Sequence, residues 1–95
     1  LTPERIREAV ALRWRVSEEA LVSKRRSKNL TIPRQVAMYL IKTLLDYPLV
    51  SIGNVFGGRD HSTVIHSIRR VEETIEVDAT FRRIVEALEE ELGEH

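Results

Sequence analysis

The sequence predicts an all-α bundle of about six helices, and three observations carry that prediction. Apolar residues recur at three- and four-residue intervals along most of the chain. No stretch sustains the apolar–polar alternation of a strand, and no internal repeat is visible. Capping residues, prolines and glycines punctuate the chain often enough to mark helix starts and stops.

Thr2 can cap a first helix, with Pro3 where a missing N–H costs nothing. Ile6, Val10 and Trp14 then fall at i, i+4 and i+8 and make one buried stripe. Ser17 followed by Glu18 and Glu19 marks a second, short helix through Leu21 and Val22. The run from Ser23 to Asn29 has no apolar residue and four cations, so it is predicted to be a loop. Pro33 is expected to open a third helix, with Val36, Leu40 and Leu44 on one face and Ala37 and Ile41 beside them. Tyr47-Pro48 ends it, because the residue before a proline is pushed out of the helical region.

Ser51 is expected to cap a very short helix, Ile52 to Phe56, which Gly57-Gly58 breaks. Asp60 caps a longer helix whose Val64, Ile68, Val71 and Ile75 form a stripe at i, i+4, i+7 and i+11. After Asp78 a last helix turns Phe81, Ile84, Val85, Leu88 and Leu92 inward, and Gly93 is placed after its end.

Residues 51–76 therefore make a short helix, a tight glycine turn and a longer helix. That is the helix-turn-helix arrangement, whose second helix enters the DNA major groove N-terminus first. The N-terminus must then carry short polar side chains, and Arg59-Asp60-His61-Ser62-Thr63 meets that need. With about 100° per residue, Ser62, His66, Arg69 and Glu73 point away from the apolar stripe. The alternative is a plain helical hairpin whose polar face is simply wet.

Lys24, Arg25, Arg26 and Lys28 place four cations in five positions of the predicted loop. An arginine on such an arm can enter a narrow minor groove while lysines sit on phosphates. A solvated charge cluster is the competing account of the loop alone, but beside a helix-turn-helix unit the two-groove account is better. Arg34 and Gln35, expected in the first turn of the third helix, are placed for phosphate contact. Spacing alone makes Lys42 an ordinary solvated lysine.

Composition narrows the classes. With 95 residues there is room for one domain, 1–95, and 42% apolar content is ordinary for a globular chain. The absence of cysteine excludes disulfides and thiolate metal sites and fits a cytoplasmic setting. No apolar run nears the roughly 20 residues of a membrane span. The chain begins with Leu, which suggests a piece of a longer protein. Net charge is zero, yet residues 1–71 carry 13 Lys/Arg against 6 Asp/Glu, and residues 72–95 carry 2 against 9. That split, +7 and −7, points to a polyanion at one end or to two solvated faces.

Catalysis is not expected. His61 and His66 are five apart, about 140° around a helix, and cannot share a metal as an i, i+4 pair would. No paired carboxylates accompany them, since Glu72 and Glu73 lie two to three turns along. A protein-interaction module using the acidic stretch Glu86 to Glu94 is a further alternative, as is a helix-turn-helix transcriptional regulator.

The run Phe56-Gly57-Gly58-Arg59-Asp60-His61-Ser62-Thr63-Val64-Ile65-His66 resembles the signature of the DnaA family's C-terminal DNA-binding domain. Leu21 to Ser27, Pro33 to Met38, Ile52-Gly53 and the final helix match in the same order, so the resemblance covers essentially the whole chain. It implies a helix-turn-helix fold related to that of the Trp repressor, and double-stranded DNA carrying the nine-base-pair DnaA box, TTATNCACA, as partner.

By resemblance, Arg26 in the basic loop 24–28 enters the minor groove, with Ser27 and Lys28 near the backbone. Arg34, Gln35 and Lys42 match phosphate-contacting positions. Asp60, His61, Ser62 and Thr63 match readers at the start of the recognition helix, 61–76, with His66 one turn on. Many family members have Thr where Ser62 stands, so one thymine is expected to be discriminated less well. No Gly-x-x-x-x-Gly-Lys-Ser/Thr phosphate loop is present. Cofactors are therefore not expected here, ATP belonging to an upstream ATPase domain, and box binding is expected to be monomeric.

Overall fold

Six helices follow one another in the computed structural model, which describes residues 1–93: α1 Pro3–Trp14, α2 Glu18–Val22, α3 Lys28–Leu45, α4 Leu49–Val55, α5 His61–Val77 and α6 Ala79–Gly93. No strand occurs among the described residues. Four starts are set by side-chain caps. Thr2 Oγ1 accepts from Arg5 N at 3.1 Å and Ser17 Oγ from Ala20 N at 3.0 Å. Asp60 Oδ1 accepts from Thr63 N at 2.9 Å and Asp78 Oδ1 from Phe81 N at 3.0 Å. Each satisfies a donor that a helix N-terminus otherwise leaves unpaired.

Three boundaries differ from expectation. Pro33 does not open α3 but lies inside it, because the helix begins at Lys28. Leu30, 3% exposed, anchors the extra turn in the core. Leu30 N and Thr31 N both donate to Ser27 O, and Thr31 Oγ1 donates to Arg26 O at 3.2 Å and Ser27 O at 3.0 Å. Pro33 costs this helix one hydrogen bond, to Asn29 O, at an exposed residue close to the start, where water can replace it. The basic loop is correspondingly short, Ser23–Ser27, and Lys28 belongs to a helix.

The second difference is at α4, which starts at Leu49 rather than after Ser51. Pro48 at its N-cap has a fixed φ of −60°, and Ile52 N donates to Pro48 O at 3.0 Å. Third, Gly93 is the last helical residue described, not the residue after the end. Glu94, counted with the acidic stretch, lies outside the described residues.

α3 is the central post, packing against α1, α2, α4, α5 and α6. Around it gather Ile6 and Val10 of α1, Val36, Leu40 and Ile41 of α3, Ile52 of α4, Val64 and Val71 of α5 and Val85 and Leu88 of α6. Phe56, fully buried just past α4, closes the helix-turn-helix pair against this core. Burying one such side chain contributes about 1.5–3 kcal/mol, so the stripes bind the six helices together. No described helix is long and apolar enough to cross a membrane.

Candidate nucleic-acid interface

The turn between α4 and α5 is built on one carbonyl. Gly53 O accepts from Phe56 N, Gly58 N and Arg59 N, each at 3.1 Å. That convergence draws the Arg59 carbonyl onto Gly53 so closely that a Cβ there would collide with backbone. Gly57 and Gly58 follow with φ of 79° and 83°, in the left-handed region that side chains disfavour. A Cβ on Gly57 would also stand 2.5 Å from Val22 O, so this turn presses on the end of α2.

The chain then enters α5 with its first turn exposed. His61, Ser62 and Thr63 face solvent, as do His66, Arg69 and Glu73, while Val64 is fully buried. Asp60 has a second task beyond its expected place among the readers. The Thr63 N–H holds its exposed carboxyl below the usual carboxylate range, so it stays charged beside the positive end of the helix.

Arg34 departs most from expectation. It is 5% exposed, and four of its five N–H groups are spent on backbone carbonyls. Nε donates to Leu21 O at 2.6 Å and Nη1 to Arg25 O at 2.9 Å; Nη2 donates to Ala20 O and Ser23 O at 3.1 Å. These are the open carbonyls at the end of α2 and in the basic loop. Arg34 therefore shapes the loop rather than offering its fork to a phosphate. Nor do Arg34 and Gln35 occupy a first turn, since α3 starts well upstream. Burial, with the Arg59 guanidinium second, lowers the Arg34 pKa to about 10, so it remains a cation at neutral pH.

Arg59 completes the assembly. It donates through Nη1 to Phe56 O in its own turn and through Nη2 to Ser23 O of the basic loop at 2.5 Å. Its pKa is lowered by burial first and by Arg26 second. Sequence reasoning missed this role: Arg59 stood in the signature run with no mark that it folds back on a segment 36 residues away. Lys24, expected with the loop lysines on phosphates, also lines the site.

Between the loop and the recognition helix lies an open groove of about 740 Å³. Arg26, Arg34, Gln35, Asp60, Thr63 and His66 line it, and no lining residue comes from the acidic α6. Ser27, Lys28, His61, Ser62 and Lys42 are not in that lining. Lys28, Gln35 and Lys42 are spaced by seven and share one face of α3, drifting only about 20° per step. Lys42 is engaged locally, its Nζ 2.9 Å from Asp46 Oδ1. No group of His, Asp and Glu suited to a metal ion occurs among the described residues.

Residues 3–71 match the family model described as the bacterial dnaA protein helix-turn-helix. The chain belongs to that family. Among DnaA relatives, it is 47% identical over 91 residues to the chromosomal replication initiator protein DnaA of Rhodopseudomonas palustris strain BisB5, covering 96% of this chain and 19% of that one. Against the DnaA of Bradyrhizobium sp. strain BTAi1 the identity is 48% over 89 residues, covering 94% and 19%. Bartonella quintana DnaA is 45% identical over 91 residues, covering 96% and 18%.

The chain thus spans about a fifth of the length of the DnaA relatives it matches. A crystal structure described as that of a DNA replication initiation factor superposes with a TM-score of 0.85 at 36% identity, covering 94% of this chain and 27% of that one. The six-helix architecture is therefore an established all-α helix-turn-helix fold, and this is a DNA-binding domain of the DnaA type.

Proposed function

We propose that the domain reads the DnaA box, TTATNCACA, in double-stranded DNA and so supports the start of replication at an origin. The observation that carries this reading is the single groove with Arg26 on one wall and the N-terminus of α5 on the other. In this arrangement α5 enters the major groove with Asp60, His61, Ser62 and Thr63 against base edges, and His66 follows one turn on. Arg26 reaches into the adjacent minor groove, with Ser27 and Lys28 on the flanking backbone. Gln35 and Lys42 meet phosphates from the shared face of α3. Phosphate contacts set position and base contacts set sequence, so the two groups fail differently when mutated.

Ser62 offers a hydroxyl but no methyl to a thymine, which softens discrimination at one base pair. Binding is monomeric, because every group invoked lies within one copy of this chain. The reading is tested by fluorescence anisotropy with a TTATCCACA duplex and a scrambled one across a salt series. A preference of about 10³-fold or more is expected. Salt-sensitive binding without preference would leave a helix-turn-helix regulator of another target, and no binding at low salt would overturn DNA recognition.

A further inference from the structure

The basic loop and the recognition helix are distant in sequence, and nothing in their local geometry fixes the span between them. Two contacts do. Arg59, the residue before the α5 cap, holds Ser23 O through one guanidinium nitrogen and Phe56 O through the other. Beside it, Gly57 lies so close to Val22 O that even a methyl would part the two segments. Behind the loop, Arg34 grips Ser23 O and Arg25 O from α3. Ser23 O is thus held by two guanidiniums from different elements.

We infer that Arg59 is a register-setting residue: it fixes the offset between the loop that carries Arg26 and the first turn of α5, so that two blocks of bases are read at one set spacing. This role rests on the two-groove reading above. A planar fork suits it better than an ammonium, because one rigid group must satisfy two carbonyls at once. Without Arg59 the loop stays tied to α3 through Arg34 but no longer to the turn before α5. Arg26 can then shift against α5, and the two blocks are accepted at several offsets.

The test compares the chain with Arg59→Lys, which keeps the charge but not the fork. Three duplexes are titrated: TTATCCACA, the same box with one base pair inserted between TTAT and CACA, and a scrambled control. The readout is the ratio of affinities for correct and expanded spacing, which a uniform loss of affinity does not change. The unmodified chain is expected to prefer the correct spacing by about 100-fold, since a displaced block loses several base contacts together. Arg59→Lys is expected to narrow that ratio to about 10-fold.

In parallel, backbone order parameters for residues 24–27 in the free protein are expected to fall in Arg59→Lys, with Arg34 still holding the loop from α3, while those of α5 hold. Should Arg59→Lys not fold, Arg59→Gln is measured in the same way. An unchanged spacing ratio, or a loop that stays rigid, overturns the register role while leaving box recognition standing. An unmodified chain that does not distinguish the box from the scrambled duplex overturns box recognition, and the register role with it.

Discussion

Arg34 donates its Nε–H to the carbonyl of Leu21 at 2.6 Å, and so caps α2 from inside α3. A helix end leaves its last carbonyls unpaired, and a cation there also opposes the negative end of the helix dipole. Arg34→Met keeps the bulk of the stem and strips four hydrogen bonds from buried or half-buried carbonyls. The expected loss of stability is about 2–4 kcal/mol, read from urea midpoints. A variant as stable as the parent would show that the carbonyls find water instead.

The three glycines of the turn are expected to rank. Gly58→Ala meets no neighbour and bears only the positive φ, about 1–2 kcal/mol. Gly57→Ala adds the Val22 carbonyl, and Gly53→Ala drives a methyl into the Arg59 carbonyl, so each should cost about 3 kcal/mol or more. Thermal melts of the three variants check the order. Equal losses would mean that the conformation, not the close approach, decides all of them.

Readers and positioners should separate on DNA. His61→Ala is expected to lose most of the preference for the box while keeping much of the non-specific binding, and Arg26→Ala to blunt preference at the A/T-rich end. Lys42→Ala should weaken all duplexes together and reduce the salt slope by about one. Competition against boxes substituted one base pair at a time distinguishes these patterns. Base-selective loss in Lys42→Ala would move Lys42 among the readers.

Acid should weaken the entry to α5. The Asp60 carboxyl is held below its ordinary range in the folded chain, by the Thr63 N–H first, so its contribution is present above the unfolded carboxylate range. As pH falls through the lower, folded value that contribution disappears. Asp60→Asn retains an acceptor for the cap but cannot titrate. Its urea midpoint is expected to be slightly lower at pH 7 and to fall less than the parent's between pH 5 and pH 3. Parallel curves would assign the acid limb to other carboxylates.

How far the sequence spoke depends on the kind of interaction. α5 was legible because its cap and its apolar stripe are both local: Asp60 precedes a run in which Val64 and Val71 recur at helical spacing and are buried. At the start of α3 the local rules point to the wrong residue, because by them Pro33 looks like a first-turn residue. What overrides them is Leu30 reaching the core and the Thr31 hydroxyl closing a turn. Ser51 misled in the same way, since Pro48 sets the earlier start.

The carbonyl partners of Arg34 and Arg59 leave no mark in the sequence. A surface cation and one that binds distant carbonyls look the same in one dimension. The partners of Arg34 lie 9 to 14 residues upstream, and that of Arg59 on the loop lies 36 upstream.

Among the described residues no carboxylate pairs with Arg34, so its charge persists after its N–H groups are spent. Such a charge acts at a distance. Together with Arg26 and Arg59 it adds to the attractive field of the groove, raising the frequency of productive collisions with a polyanion before any atom touches. The same residue that gives the loop its shape therefore also attracts a polyanion. Added salt should slow association through a side chain whose N–H groups are mostly spent on the protein's own carbonyls.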